Sequence, residues 1–405
     1  MTREILPFQV RWTDNDVSDV LDRVNCYPWP AVAAIDDGWA YGCDPAYLRS
    51  LCDYWTTGFD WRAAVDDLNR FPQFTARVGD LDLHFLHVVG EAKRKRPLLI
   101  THGWPGSHFE FWRVIEPLAY PSRFGGNASD AFDLVIPSLP GFGFSSKPAR
   151  SVGPRATARL FNTLMTEVLG YETYLAQGGD WGGTVASWLG REHGASVRAI
   201  NLNMLGLRPS VPPTSQDEQA WAKKMSVAQG TIGAYFSLQA TKPQSIAWMG
   251  AGNPVGQAAW IAERFHDWSD LTNRSMDNVH PMDSLLTNIM IYVMTGSFTT
   301  AAWFYRGLIE EGGMTLPLNE RCETPTTVLN FPNDALYTPP PRSYAEHVYN
   351  IVDWWDMPRG GHFAAMEEPQ LYIDNIRSWG REVGRMEISG TREGPINHNL
   401  SEFIK

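Results

Sequence analysis

Residues 173–193 read TYLAQGGDWGGTVASWLGREH, a short apolar run, then four glycines packed around one aspartate, then apolar residues at helical spacing. The run before Gly178 fits a buried strand, and Thr184 onward fits a helix. Glycine at 178, 179, 182 and 183 gives a turn that can bend sharply and be approached closely by other backbone. A strand that reverses into a helix through so tight a turn restricts the chain to a layered α/β architecture.

Neighbouring segments repeat the theme. FTARVGDLDLHFLHVV alternates apolar and polar residues about Gly79-Asp80 and predicts a β-hairpin. PLLITHGWPGS and FDLVIPSLPGFGFSSKP each predict a buried strand followed by a glycine- and proline-rich loop. Helix-like stretches, FEFWRVIEPLA and ATARLFNTLMTEVLG, separate them. Strand-then-loop units alternating with helices predict a mostly parallel sheet covered by helices on both faces, with the ligand site in loops at the carboxyl ends of the strands.

Around that core the chain divides into further units. Residues 1–74 read as a helical meander, with DVSDVLDRV at helical spacing and Asp44 placed to cap a helix that opens on Pro45. Residues 75–207 form the first part of the core. Residues 208–316, rich in Trp, Met and Ala at helical spacing, read as a helical cap inserted over it. Strands resume in 317–386 with TPTTVLNFPND and NIVDWWDMPRGGHF, closed by the helix EEPQLYIDNIRSWGREV, and 387–405 is a polar tail.

Composition narrows the partners. A formal charge of −11 in 405 residues repels nucleic acid and anionic membranes alike. The first residues, MTREILPFQVRW, hold no apolar signal core, and no run of about 18 apolar residues occurs, so a soluble, cytoplasmic protein is expected. Cys26, Cys43, Cys52 and Cys322 lack the spacing of a zinc site or a disulfide framework and read as reduced and mostly buried. Gly141-Phe142-Gly143 lacks the third glycine of a dinucleotide fingerprint, and no cofactor or metal is expected. A homodimer is compatible with a chain of this size.

The glycine turn has the outline of a nucleophile elbow, G-x-S-x-G, with Asp180 where the serine stands. A second reading makes Asp180 only the N-cap of the helix that follows. Chain order favours the first, since an α/β-hydrolase fold runs nucleophile, acid, histidine. His362 in PRGGHFAAMEEP follows the last strand, and Asp334 in LNFPNDAL follows the strand before it, with Asp353 and Asp356 as competing acids. His102-Gly103-Trp104-Pro105 occupies the place of an oxyanion loop, so the backbone N–H groups of Trp104 and Trp181 are candidate oxyanion donors and His102 is a structural support.

Aspartate carries a chemical message here. A serine that opened an epoxide would be left as an ether, which water does not cleave under mild conditions. A carboxylate makes an ester, whose carbonyl carbon a histidine-activated water can attack. Saturated carbon bearing a strained oxygen or a halide is therefore the expected electrophile. Tyr235 and Tyr305 in the inserted block are candidate proton donors to a ring oxygen.

With these residues in view, the chain resembles the microsomal-type epoxide hydrolases of the α/β-hydrolase superfamily over almost its whole length. The resemblance rests on DYWTTGFDWRAAVDDLNRFPQFTARVGDLDLHFLHV, HGWPGSHFEFW, VIPSLPGFGFSS, QGGDWGG, QATKP, NPVGQAAWIAERF, FPND and RGGHFAAMEEP, similar in order and spacing. It implies an α/β-hydrolase fold with a helical cap and an N-terminal helical segment, and conversion of an epoxide and water to a vicinal diol. By the same resemblance Asp180 is the nucleophile, His362 the base, Asp334 the acid that orients it, and Tyr235 and Tyr305 the ring-opening phenols. Many members carry glutamate at the position of Asp334, and the mammalian forms begin with a membrane anchor, which is not expected here. The aromatic, Met-rich cap suits a bulky apolar epoxide of xenobiotic or secondary-metabolite origin. The rivals are a haloalkane dehalogenase, which shares DWGG, and a catalytically silent binding protein built on the same fold.

Overall fold

The computed structural model describes residues 4–30 and 38–389. The chain opens with strand β1 (Ile5–Phe8), followed by helices α1 (Asp14–Asn25), α2 (Pro45–Thr57) and α3 (Trp61–Leu68). The Asp44 carboxylate accepts the Tyr47 N–H at 2.7 Å with Pro45 at the first helical position, as the sequence predicts. Strand β1 departs from the all-helical reading of residues 1–74. It pairs antiparallel with β2 (Gln73–Val78), Ile5 opposite Ala76 and Phe8 opposite Gln73. Four residues containing Pro7 give too short and too irregular a pattern to read, and the sheet edge is where a strand proline is tolerated.

The hairpin of β2 and β3 (Leu81–Val88) turns at Gly79, whose φ is +59°. After it come β4 (Pro97–Thr101), α4 (Ile115–Ala119), β5 (Asp133–Pro137), α5 (Pro154–Thr163), β6 (Tyr174–Gly178), α6 (Asp180–Glu192) and β7 (Val197–Leu202). Two short strands, β8 (Arg208–Pro209) and β9 (Thr315–Leu316), pair in parallel. Between them lie α7 (Gln216–Ile232), α8 (Ala234–Thr241), α9 (Pro243–Gly250), α10 (Pro254–Trp268), α11 (Met276–Val279), α12 (Met282–Thr295) and α13 (Phe298–Glu310). The inserted block thus leaves and re-enters the core through one small ladder. The chain finishes with β10 (Cys322–Asn330), α14 (Arg342–Ala345), β11 (Tyr349–Asp356), α15 (Ala364–Glu367) and α16 (Pro369–Ser389). Of the expected tail, residues 390–405 lie outside the described residues.

The main sheet has the order β1-β2-β3-β5-β4-β6-β7-β10-β11. Pairings from β5 through β11 are parallel, and those among β1, β2, β3 and β5 are antiparallel. Leu98, Leu99, Ile100, Leu134, Val135 and Ile136 have no exposed surface, the mark of strands covered on both faces. Each such side chain contributes roughly 1.5–3 kcal/mol by burial. From β4 the chain moves to β5 on one side and then crosses to β6 on the other, so the crevice at the carboxyl ends of β4 and β6 is the switch point where an α/β sheet binds ligands.

The N-terminal helices brace the cap. The Tyr54 hydroxyl donates to Asp283 Oδ1 at 2.8 Å, and Trp39 stacks on His266 with ring centroids 4.0 Å apart. All four cysteines are free; Cys52 and Cys322 are buried, Cys43 is half-buried, and Cys26 is exposed, against the expectation that most are interior. Among the described residues no single helix is long and apolar enough to cross a membrane.

Candidate active site

Asp180 sits in the turn between β6 and α6 with φ at +46°, a left-handed conformation costly for any residue bearing a Cβ. The turn is built for it. A Cβ at Gly182 would lie 1.8 Å from the carbonyl oxygen of Thr101, and one at Gly103 would lie 2.2 Å from Asp180 Oδ1, so glycine alone permits these approaches. The N-cap reading fails here: Gly179 holds the cap position and no side chain bonds the first amides of α6. The Asp180 carboxylate instead points away from its helix, and Oδ1 accepts the Trp104 N–H at 2.8 Å.

The other oxygen faces His362. Its Nε2 lies 3.4 Å from Asp180 Oδ2, and Nδ1 lies 2.8 Å from Asp334 Oδ2. Asp334, in the loop after β10, is itself fixed, because its Oδ1 accepts the N–H groups of Leu336 at 2.9 Å and Tyr337 at 3.0 Å. The competing acids are engaged elsewhere: Asp353 Oδ1 accepts the Trp354 N–H and Asp356 Oδ1 accepts Asn330 Nδ2. Burial pushes the His362 imidazole down, but the carboxylates of Asp334 and Asp180 override it and hold its proton well above the ordinary histidine range.

His102 holds the loop after β4. Its Nδ1 bonds the Gly103 carbonyl at 2.9 Å and its Nε2 accepts the Leu139 N–H at 3.2 Å, which fixes the neutral tautomer; burial lowers it to about 4. Trp104 follows on that loop, and Trp181 opens the first turn of α6, where backbone N–H groups have no helical acceptor.

Above Asp180 the cap supplies two phenols. Tyr235 on α8 and Tyr305 on α13 meet edge-on with ring centroids 5.9 Å apart. Trp104 stacks on Tyr235 at 5.3 Å, and Trp181 lies edge-on to Tyr305 at 4.6 Å. The Tyr305 hydroxyl is buried and makes no hydrogen bond of standard geometry among the described residues. Burial first, and then the Asp180 charge among others, hold both phenols well above their usual range, so they stay protonated. Asp180 and both phenols line one cavity of about 370 Å³, walled by apolar residues including Met204, Leu205, Met225 and Phe236. A second cavity of about 10 Å³ touches Asp180, Asn203, Asp334 and His362. That is the size of one water.

Four residues escaped the sequence reading. Asn203 borders the small cavity and accepts from Gln177 Nε2 at 2.8 Å. Arg264 lies 5.2 Å from the Tyr235 ring centroid, and the Trp268 carbonyl accepts the His362 N–H at 3.0 Å. Trp260, Arg264 and Trp268 recur every fourth residue, a cation on an aromatic helix face that could have drawn notice. Glu110, in HGWPGSHFEFW, is the fourth. Burial pushes its carboxyl up to about 8, opposed by His362 and aided by Asp180, so at neutral pH it adds little second negative charge beside Asp180.

Comparison with known proteins agrees with this geometry. Residues 5–111 match the family model described as epoxide hydrolase N terminus, and residues 96–241 match that of the alpha/beta hydrolase fold. The chain is 37% identical over 387 residues to a protein of Stigmatella aurantiaca (strain DW4/3-1) provisionally named an epoxide hydrolase, covering 94% of this chain and 85% of that one. It is 31% identical over 404 residues to epoxide hydrolase 1 of Sus scrofa, covering 93% and 88%. The solved structure of Aspergillus niger epoxide hydrolase superposes with a TM-score of 0.81 at 28% identity, covering 94% of this chain and 97% of that one.

Proposed function

This chain belongs to the epoxide hydrolase family, and on that premise we propose that its site turns an epoxide and water into a vicinal diol through an ester on Asp180. Tyr235 and Tyr305 hold the ring oxygen, Asp180 Oδ2 attacks one ring carbon, and the C–O bond to that carbon breaks as a phenol gives its proton to the oxygen. Oδ2 is the attacking atom because Oδ1 is occupied by the Trp104 N–H at 2.8 Å. The observation that carries this reading is the division of one carboxylate between an amide donor and an imidazole, in a left-handed turn that no N-cap role requires.

Esterification removes the charge of Asp180. One of the two carboxylates that hold the proton on His362 is then gone, so the imidazole releases its proton, which restores the phenol. Neutral His362, oriented by Asp334, next takes a proton from a water in the small cavity, and the hydroxide adds to Cγ of Asp180. The charge that develops falls on Oδ1, which the Trp104 N–H already addresses and the Trp181 N–H can join. Collapse expels the diol oxygen, which takes up the proton that His362 drew from the water, and Asp180 is released as an acid that gives its own proton to the neutral His362. The cycle consumes one epoxide and one water.

The main cavity supports a bulky apolar epoxide as substrate, since about 370 Å³ of largely apolar wall matches a small-molecule site. The test is a single turnover in heavy-oxygen water. The label is expected in the Asp180 carboxylate and absent from the first diol; labelled first-turnover diol would mean that water opens the ring directly.

A further inference from the structure

The His362 loop is held by an unusual set of acceptors. Gly360, Gly361, His362 and Phe363 present four consecutive backbone N–H groups, and all four are engaged. Gly360 donates to Asp270 Oδ2 at 3.0 Å, Gly361 to Glu367 Oε2 at 2.9 Å, His362 to the Trp268 carbonyl at 3.0 Å, and Phe363 to Glu367 Oε1 at 2.7 Å. Glu367 Oε2 also accepts the Asp270 N–H at 2.7 Å. The bonds are reciprocal, since Asp270 of the cap segment holds the core loop while Glu367 of the core holds the Asp270 amide.

The clasp is buried and tight. Glu367 is 6% exposed and Asp270 4%. A Cβ at Gly361 would come 2.5 Å from the Asp270 nitrogen, which accounts for the glycine ahead of the histidine. Behind the clasp, Arg274 bonds Glu368 at 2.9 Å and the Asp270 carbonyl at 2.7 Å. Glu367 does not line the substrate cavity, so the ester route assigns it nothing.

We propose that Glu367 is a positioning residue: by holding the amides on both sides of His362 and the cap amide of Asp270, its carboxylate sets the imidazole against the Asp180 ester and couples that placement to the seating of the cap. The proposal rests on the ester route above. Ring opening depends on Asp180, whose orientation comes from Trp104, whereas ester hydrolysis depends on where His362 Nε2 lies. Loss of the clasp should therefore act on the second step and spare the first.

The experiment is rapid-quench kinetics with styrene oxide on the full chain and its Glu367→Ala, Glu367→Gln and Asp270→Asn variants, following both ester on the Asp180 peptide and diol. Displacement of a reacting group by about 1 Å can cost on the order of a hundredfold. Glu367→Ala is expected to slow hydrolysis by about that factor, with ring opening within a few-fold of wild type, so that ester accumulates and KM falls together with kcat. Glu367→Gln keeps one acceptor oxygen and should restore part of the hydrolysis rate. Asp270→Asn reports on the other half of the clasp if Glu367→Ala does not fold. Equal slowing of both steps, unchanged rate constants with fewer active molecules, or wild-type hydrolysis in Glu367→Gln and Asp270→Asn overturns the positioning role. Absence of any ester in the wild type would instead remove the parent reading.

Discussion

His362 Nε2 lies 3.4 Å from Asp180 Oδ2, nearer to a salt contact than to a tight hydrogen bond, while its Nδ1 is bound at 2.8 Å to Asp334. This asymmetry suits a base that must release its proton when the first carboxylate becomes an ester and keep its orientation through the second. Replacing the base should then separate the two chemical steps. In His362→Gln the ring still opens, diol release falls by roughly 10²–10⁴-fold, the usual weight of a general base, and the Asp180 peptide gains the mass of the substrate. Intact-protein mass spectrometry after mixing with a terminal epoxide checks this; an unmodified peptide in an inactive variant would argue against a covalent route.

The same pair makes stability depend on pH. Burial lowers the His362 imidazole, but Asp334 and Asp180 raise it well above its ordinary range, so the folded state binds the proton more tightly than the unfolded chain does. A raised value means that the stabilisation is complete below about pH 6.5, the unfolded histidine value, and is lost as pH rises through the folded value. In Asp180→Asn one support is removed, and the alkaline decline should begin at lower pH than in the wild type. Urea midpoints measured from pH 6 to 10 decide it, and superimposable profiles would contradict the assigned coupling.

Tyr305 predicts a separation of stability from activity. The residue lines the main cavity, while its ring packs edge-on against Trp181, Tyr235 and Phe236. Tyr305→Phe keeps that ring packing with little change of shape, so its melting temperature should stay close to that of the wild type. Ring opening should slow by at least tenfold, and Tyr235→Phe with Tyr305→Phe should leave little epoxide turnover. Equal epoxide turnover in the double variant, or halide release from haloalkanes that ignores both changes, would favour a dehalogenase.

Much of this is legible in the sequence, and the reason is local. The alternation about Gly79-Asp80 and the strand–turn–helix around Asp180 are set by short-range sterics, so the hairpin and the elbow follow from the residues themselves. Asp334 and His362 could be nominated because each lies in the loop that follows a strand, at the same edge of the sheet. Strand β1 could not, since its four residues acquire meaning only from β2, whose partner positions lie some seventy residues on. Glu367 was equally silent. In RGGHFAAMEEP it reads as a helix-end carboxylate, and only the fold brings Asp270 within 2.7 Å of it. Contacts between distant segments, which carry no periodicity, were what the sequence withheld.

Gly103 offers the sharpest test of how the Asp180 turn is held. A methyl group at this position would lie 2.2 Å from Asp180 Oδ1 and 2.3 Å from its Cβ. Rotation of the Asp180 side chain can move Oδ1 but not Cβ, so Gly103→Ala must shift main chain, either in the loop after β4 or in the turn itself, and the shift carries the Trp104 N–H away from Asp180 Oδ1. At Gly182 the obstacle is again backbone, the Thr101 carbonyl at 1.8 Å. Both alanine substitutions should therefore cost several kcal/mol, at the upper end for single substitutions. The Gly103→Ala molecules that still fold should also form ester more slowly, by on the order of a hundredfold. Thermal unfolding together with burst kinetics checks both effects. A Gly103→Ala enzyme with a wild-type melting temperature and a full burst would show that the close approach of Gly103 does not aim the carboxylate.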